Sequence, residues 1–143
     1  KIFYLIKYIK EQLDKYKLHN QLILEISESE SINNFDIVKN FIHEMKSLGV
    51  RIAIDDFGSG YSNFSYLLEL EPDFIKIDGS IIKNIAVDDK SYTIAKTIVN
   101  FSKELGIKTI GEFIYNEEVL NKVLDLGIEG KQGYFLGEPK SNI

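Results

Sequence analysis

The fold prediction starts from the stretch Val50-Arg51-Ile52-Ala53-Ile54-Asp55-Asp56-Phe57-Gly58-Ser59-Gly60-Tyr61. The apolar run at its start predicts a buried strand, and the glycine-bearing segment at its end predicts a tight turn. Asp55 and Asp56 therefore lie side by side where a strand ends. Adjacent carboxylates repel each other unless a cation neutralises them, and their oxygens suit Mg²⁺ or Mn²⁺. Taken alone, the pair is explained equally well as a solvated Asp-Asp turn.

Other strand-like runs carry polar residues at the same end. The runs are at residues 22–24, 74–77, 108–111 and 130–136, and the polar residues are Glu25, Glu28, Lys76, Asp78, Glu112 and Gln132. In a parallel β/α architecture the carboxyl ends of the strands share one face, where barrels and doubly wound enzymes build their sites. The repetition favours a functional site over isolated turns.

Composition limits the classes of function. A chain of 143 residues that is 44% hydrophobic predicts one soluble globular domain spanning residues 1–143. Its net charge of −5 argues against electrostatic binding to DNA or to an anionic membrane. The absence of cysteine fits a reducing, cytoplasmic compartment, and no apolar run reaches the length of a membrane span. Because the sequence begins with Lys, we expect it to be part of a longer protein.

Apolar periodicity predicts helices between the strands. The long ones are expected at residues 1–17, 34–48, 91–105 and 117–126, with short ones at 62–69 and 80–85. Three of them end in the same way, at Leu48-Gly49, Leu105-Gly106 and Leu126-Gly127, each followed by a β-branched residue. Asn116 is predicted to be an N-cap.

Strands that alternate with helices predict the α/β class with a parallel sheet of about five strands. A complete (β/α)₈ barrel needs about 250 residues. The chain is therefore either part of a barrel or a complete smaller open sheet, and periodicity does not separate the two.

The motifs themselves resemble a known family. The segments Asp55-Asp56-Phe57-Gly58-Ser59-Gly60-Tyr61-Ser62 and Phe74-Ile75-Lys76-Ile77-Asp78 resemble the centre of EAL domains, the bacterial phosphodiesterases that open cyclic di-GMP. The segments Leu24-Glu25-Ile26-Ser27-Glu28-Ser29, Thr109-Ile110-Gly111-Glu112 and Gln132-Gly133-Tyr134-Phe135 with Pro139 are similar to further motifs of that family, in the same order. The resemblance covers the chain from about residue 22 to residue 139.

This resemblance implies a TIM-like barrel of the EAL type with two Mg²⁺ or Mn²⁺ ions, which hydrolyses cyclic di-GMP to linear pGpG. By position, the implied metal ligands are Glu25, Asp55, Asp56 and Glu112, and Lys76 would lie beside the reacting phosphate. Asp78 and Gln132 would support the site or contact substrate, and Glu28 would anchor the loop at residues 57–62. Without the resemblance, Lys76 would be interpreted as a salt-bridge partner of Asp78 or Glu112, and Gln132 as a group that satisfies buried backbone.

The sequence also departs from the family pattern. It contains neither the Glu-Ala-Leu tripeptide nor the Asn ligand of the next strand, so we expect an incomplete barrel that is inactive or weak alone. Tyr115 stands where the family usually has a second Glu. An open barrel exposes sheet edges, which predicts a homodimer.

Two functions therefore stay open, a metal-dependent phosphodiesterase and a degenerate EAL module that binds cyclic di-GMP or a protein partner in signalling. An unrelated α/β barrel with another chemistry is a third, minor alternative. The parent is expected to be bacterial and cytoplasmic or membrane-anchored, with an upstream sensory or GGDEF domain, while this segment itself contacts no membrane. His19 and His43 match no position of the family pattern.

Overall fold

The computed structural model describes residues 2–60, 64–133 and 136–137. Tyr61, Ser62, Tyr134, Phe135 and Pro139, which the motifs above include, lie outside the described residues. Among the described residues, no helix combines the length and the apolar character needed to cross a bilayer.

The described residues form alternating helices and strands, as the sequence predicts. The strands are β1 (Ile23–Ser27), β2 (Arg51–Phe57), β3 (Phe74–Ile77), β4 (Lys108–Gly111) and β5 (Gly130–Lys131). The helices are α1 (Ile2–Tyr16), α2 (Glu28–Asn33), α3 (Phe35–Ser47), α4 (Ser65–Leu70), α5 (Gly79–Ile82), α6 (Asp89–Glu104) and α7 (Glu117–Leu126).

The strands form one parallel sheet in the order β1-β2-β3-β4-β5. Lys76 of β3 pairs with Ile110 of β4, and Ile110 in turn pairs with Gly130 of β5. Spatial order that follows chain order is typical of a (β/α) barrel wall, whereas a doubly wound sheet reverses its order at a switch point. The α/β prediction is confirmed, and the strand order favours the barrel over the open sheet.

The chain divides into two compact units, and the first comprises residues 1–54 and 63–73. Its core gathers Leu13 of α1, Ile42 and Met45 of α3, Ile52 of β2 and Leu67 of α4, all nearly fully buried. Asp73 extends the hydrogen bonding of β2, because its carboxylate accepts from the Ile52 amide at 2.8 Å and its own amide donates to the Ile52 carbonyl at 2.9 Å.

The second unit comprises residues 55–62 and 74–143. Its core includes residues that are exposed by no more than 1%: Ile75 and Ile77 of β3, Ile98 of α6, and Val119 and Val123 of α7. The glycines after α3, α6 and α7 all have positive φ, which confirms the three predicted helix ends: Gly49, Gly106 and Gly127. Asn116 caps α7 by accepting from the Val119 amide at 2.8 Å, which is also as predicted.

Several details of the prediction are wrong. Helix α2 is not predicted by periodicity, because the sequence Glu-Ser-Glu-Ser-Ile-Asn has no apolar stripe, and its N-cap Ser27 defines its start. The spacing of apolar residues in α3 also predicts that Ile37 is buried, but it is 57% exposed and its neighbour Val38 is buried instead. Strand β5 ends at Lys131, so Gln132 and Gly133 of the predicted run are not part of it. The tight turn predicted after β2 implies positive φ at both of its glycines, but only Gly58 has one, at 93°, and Gly60 does not.

Candidate metal centre

Three carboxylates of the second unit converge where strands β2 and β4 end. Asp55, Asp56 and Glu112 each offer an oxygen atom, and these three atoms all lie within 4.8 Å of one another. They come from segments more than fifty residues apart in sequence, so the sheet brings them together. This is the arrangement that the paired carboxylates at strand ends predict.

The end of β2 presents the first two carboxylates, because the strand continues through Asp55 and Asp56 to Phe57 and does not end before them as predicted. Asp56 has a φ of 55°, in the left-handed region that Asp tolerates better than most residues. Its amide donates to Oδ1 of Asp55 at 2.9 Å, and its carbonyl accepts from the Ser59 hydroxyl at 2.9 Å. Phe57, the last residue of β2, is fully buried and fixes the turn against the core.

The backbone around Glu112 is held on both sides by Gln132. The Gln132 amide donates to the Gly111 carbonyl at 2.8 Å, and the Gln132 carbonyl accepts from the Ile114 amide at 3.0 Å. A Cβ at Gly133 would overlap the backbone of Ile114, so the two segments lie in close contact. Glu112 is thereby fixed between two hydrogen-bonded neighbours.

Lys76 supplies the positive charge of the site. Its Nζ lies 3.1 Å from Oε1 of Glu112 and 3.9 Å from Oδ1 of Asp55, and the residue is 7% exposed. Because Lys76 pairs with Ile110 and side chains alternate along a strand, Glu112, two residues further on, lies on the same face as Lys76. The salt bridge to Glu112 expected without the family resemblance is therefore present.

Electrostatics distinguish Glu112 from an ordinary carboxyl. Burial raises its pKa to about 7; the hydrogen bond from Lys76 opposes this rise, and Asp55 adds to it. A carboxylate that is costly to ionise in the absence of a cation is a common feature of metal sites, since the cation supplies the missing neutralisation.

The donor chemistry fits a hard divalent cation. Three carboxylate oxygens within 4.8 Å of one another can bind one ion together, and oxygen-only ligands favour Mg²⁺, Mn²⁺ or Ca²⁺ over softer metals. The carboxylates of this site therefore suit a divalent metal ion.

A family model described as EAL domain matches residues 4–139. The chain belongs to the EAL domain family. The prediction made from the five motifs is thereby confirmed.

Relatives of this EAL chain include a cyclic di-GMP phosphodiesterase, PdeB of Shewanella oneidensis, which is 36% identical over 137 residues. Among solved structures, PaMucR phosphodiesterase in complex with cyclic di-GMP superposes with a TM-score of 0.89 at 32% identity, covering 94% of this chain. The manganese and cyclic di-GMP complex of Klebsiella pneumoniae BlrP1 superposes with a TM-score of 0.85 at 29% identity, covering 91% of this chain.

The EAL chain spans only part of these proteins. It covers 16% of the length of PdeB, 55% of the PaMucR chain and 33% of the BlrP1 chain. The relatives support a divalent-metal site, since manganese accompanies cyclic di-GMP in the BlrP1 complex.

The other predicted EAL-site residues lie within or near strands, and their roles stay predictions. Glu25, expected to follow the first strand, is instead the third residue of β1, in the first compact unit. Glu28 is the first residue of α2 and is buried, and its charge adds to the burial that raises the pKa of Tyr66. Asp78 is the N-cap of α5, where its carboxylate accepts from the amide and the hydroxyl of Ser80. Gln132 reaches the site through its main chain, as described above.

Sequence reasoning missed Phe113, the residue directly after Glu112. It has a φ of 58°, although nothing in the sequence marks a phenylalanine for the left-handed region. Tyr115, two residues further on, donates from its hydroxyl to the Lys83 carbonyl at 3.2 Å. The side chain that replaces the usual second Glu is thus tied to the end of α5.

Proposed function

We propose that this chain is the metal-binding portion of a cyclic di-GMP phosphodiesterase, which hydrolyses one phosphodiester of cyclic di-GMP to give linear pGpG. The observation that carries the proposal is the convergence of Asp55, Asp56 and Glu112 within 4.8 Å, with Lys76 beside them. Membership of the EAL family and the likeness to a manganese complex of cyclic di-GMP support it.

In this proposal Glu25, Asp55, Asp56 and Glu112 hold two Mg²⁺ or Mn²⁺ ions. Bound in this way, two ions supply Lewis acidity, a water of lowered pKa and neutralisation of phosphate charge. Asp55 and Asp56 are adjacent at the end of β2, and we assign Asp56 to the second ion.

Lys76 is assigned to the phosphate. Its ammonium is held by Glu112 and Asp55 in a buried position, where a charge interacts more strongly than in water. Asp78 and Gln132 are proposed to support the site or contact substrate, and Glu28 to anchor the loop at residues 57–62. The homodimer, an upstream sensory or GGDEF domain and a cytoplasmic location complete the proposal.

The direct test is to incubate the chain with cyclic di-GMP and Mn²⁺ and to look for pGpG by chromatography. Because the chain is expected to be inactive or weak alone, we expect it to bind cyclic di-GMP and to give little pGpG. Any product should disappear in Glu112→Ala and persist in Glu44→Ala, which removes an exposed carboxylate on α3. Absence of product together with absence of cyclic di-GMP binding would contradict the proposal.

The second candidate function is a module that binds cyclic di-GMP without cleaving it. Tyr115 favours it, because a hydroxyl bound to the Lys83 carbonyl replaces a carboxylate of the family pattern. Binding of cyclic di-GMP without pGpG would support this alternative. The variant Tyr115→Glu would then be expected to produce pGpG, whereas Tyr115→Phe would not.

A further inference from the structure

Phe113 combines a strained backbone with an exposed side chain. Its φ of 58° is in the left-handed region, which is unfavourable for a bulky residue, and its side chain is 66% exposed. Burial of so exposed a ring recovers little of that cost. Stability alone therefore does not account for a phenylalanine here, since glycine would adopt the same φ without strain.

The Phe113 ring lies directly against Gly79, the first residue of α5. A Cβ built at Gly79 would overlap the ring, and the three nearest atoms to that Cβ all belong to Phe113. Gly79 itself is buried and helical, so the backbone conformation does not require glycine there. What requires glycine is the close approach of the ring.

We propose that the contact between Phe113 and Gly79 positions the Glu112 carboxylate, so that both are positioning residues of the metal centre. This inference rests on the proposed function, because it concerns the same carboxylate. The ring is the first side chain after Glu112, and it fixes the peptide that joins them against α5. The Gln132 hydrogen bonds fix Gly111 and Ile114 from the other side.

The position of α5 explains why this contact reaches the site. Asp78, the residue before Gly79, caps α5 and donates its amide to the Phe57 carbonyl at 2.9 Å, at the end of β2. The ring therefore ties the segment after β4 to the same point where β2 presents Asp55 and Asp56. A shift of Phe113 would change the distance from Glu112 to both aspartates and to Lys76.

The test is a double-mutant cycle on Mn²⁺ affinity, measured by the electron paramagnetic resonance signal of free Mn²⁺. Gly79→Ala forces the ring to move, and we expect it to weaken binding about tenfold, as is common for residues that orient metal ligands. Phe113→Gly removes the ring and is expected to weaken binding severalfold. The double variant is expected to match Phe113→Gly, because the added methyl group then meets no ring. Phe113→Tyr should retain the affinity.

Gly137→Ala is the matched control, since no described atom lies within 4 Å of a Cβ at that position. Unchanged Mn²⁺ affinity in Gly79→Ala or in Phe113→Gly would overturn the proposal. It would also be overturned if Gly79→Ala weakened Mn²⁺ binding by the same factor in the unsubstituted chain and in the Phe113→Gly variant. If Gly79→Ala does not fold, Phe113→Gly and the double variant still decide it.

A second readout separates this inference from the proposed function. If the unsubstituted chain binds no Mn²⁺, the proposed function fails. The positioning role is then tested by the ¹³C chemical shift of the Glu112 carboxyl in the metal-free protein. We expect Gly79→Ala to change that shift and the double variant to match Phe113→Gly. An identical shift in all four proteins would overturn the positioning role.

Discussion

Nζ of Lys76 lies 3.1 Å from Oε1 of Glu112, and both residues are less than a tenth exposed. A buried ion pair contributes little net stability when intact, but removal of one partner leaves a charge without compensation. The pair therefore makes the metal-free site sensitive to any change in its charge.

We expect Lys76→Gln to lower the free energy of unfolding of the metal-free protein by about 3 kcal/mol at pH 8, where Glu112 is ionised. Urea denaturation monitored by circular dichroism measures the loss. The control is Lys39→Gln, which removes an exposed pair with Glu69 at 2.9 Å and should cost much less, because solvent screens that pair. Equal losses in the two variants would contradict a buried pair.

Metal binding should depend on pH through Glu112. Its pKa of about 7 means that the metal-free site holds a proton at pH 6, and a cation must displace that proton to bind. Mn²⁺ affinity is therefore expected to rise with pH up to about 7 and to level off above it. Calorimetry in buffers of different ionisation enthalpy would show about one proton released at pH 6 and almost none at pH 8.5. In Glu112→Gln this release should disappear, and its persistence would assign the proton to another group.

Asp73 should stabilise the first compact unit, because its carboxylate accepts from the Ile52 amide inside the sheet. Asp73→Ala leaves that amide without its acceptor and is expected to cost about 1–3 kcal/mol in urea denaturation. Asp73→Asn keeps an acceptor oxygen and should cost less. Asp125→Ala, an exposed change on α7, should stay within about 0.5 kcal/mol. An unchanged free energy of unfolding in Asp73→Ala would show that the Ile52 amide finds another acceptor.

Gly133→Ala should be more damaging than most glycine substitutions in this chain, since the new methyl group would overlap the backbone of Ile114. Backbone cannot move aside as a side chain can, so we expect a loss of about 2–3 kcal/mol and weaker Mn²⁺ binding. Thermal unfolding and Mn²⁺ titration, with Gly137→Ala as the control, would check this. A stable variant with unchanged Mn²⁺ affinity would mean that the two segments can separate without harm to Glu112.

The parts of this protein that follow local rules were predictable from sequence. Strand ends with carboxylates, the Leu-Gly helix ends and the Asn116 cap each depend on residues within one turn or one strand. Asp55, Asp56 and Glu112 were also predictable as a group, because a parallel sheet brings strand ends to one side.

The parts that depend on contacts between distant residues were not predictable. Phe113 adopts a left-handed backbone conformation that phenylalanine disfavours, and its ring contacts Gly79, thirty-four positions earlier. Helix α2 begins at a serine cap and lacks the apolar periodicity that identifies longer helices. Gln132 was expected to act through its side chain, but its main chain also forms two hydrogen bonds, to Gly111 and from Ile114. Such bonds cannot be predicted from residue type.

The two hydrogen bonds that hold the Glu112 segment come from the main chain of Gln132, so any amino acid except proline could supply both. The side chain at this position is therefore free to change over evolution without disturbing the frame of the site. Substitutions at position 132 would therefore leave both hydrogen bonds, and with them the backbone on either side of Glu112, in place.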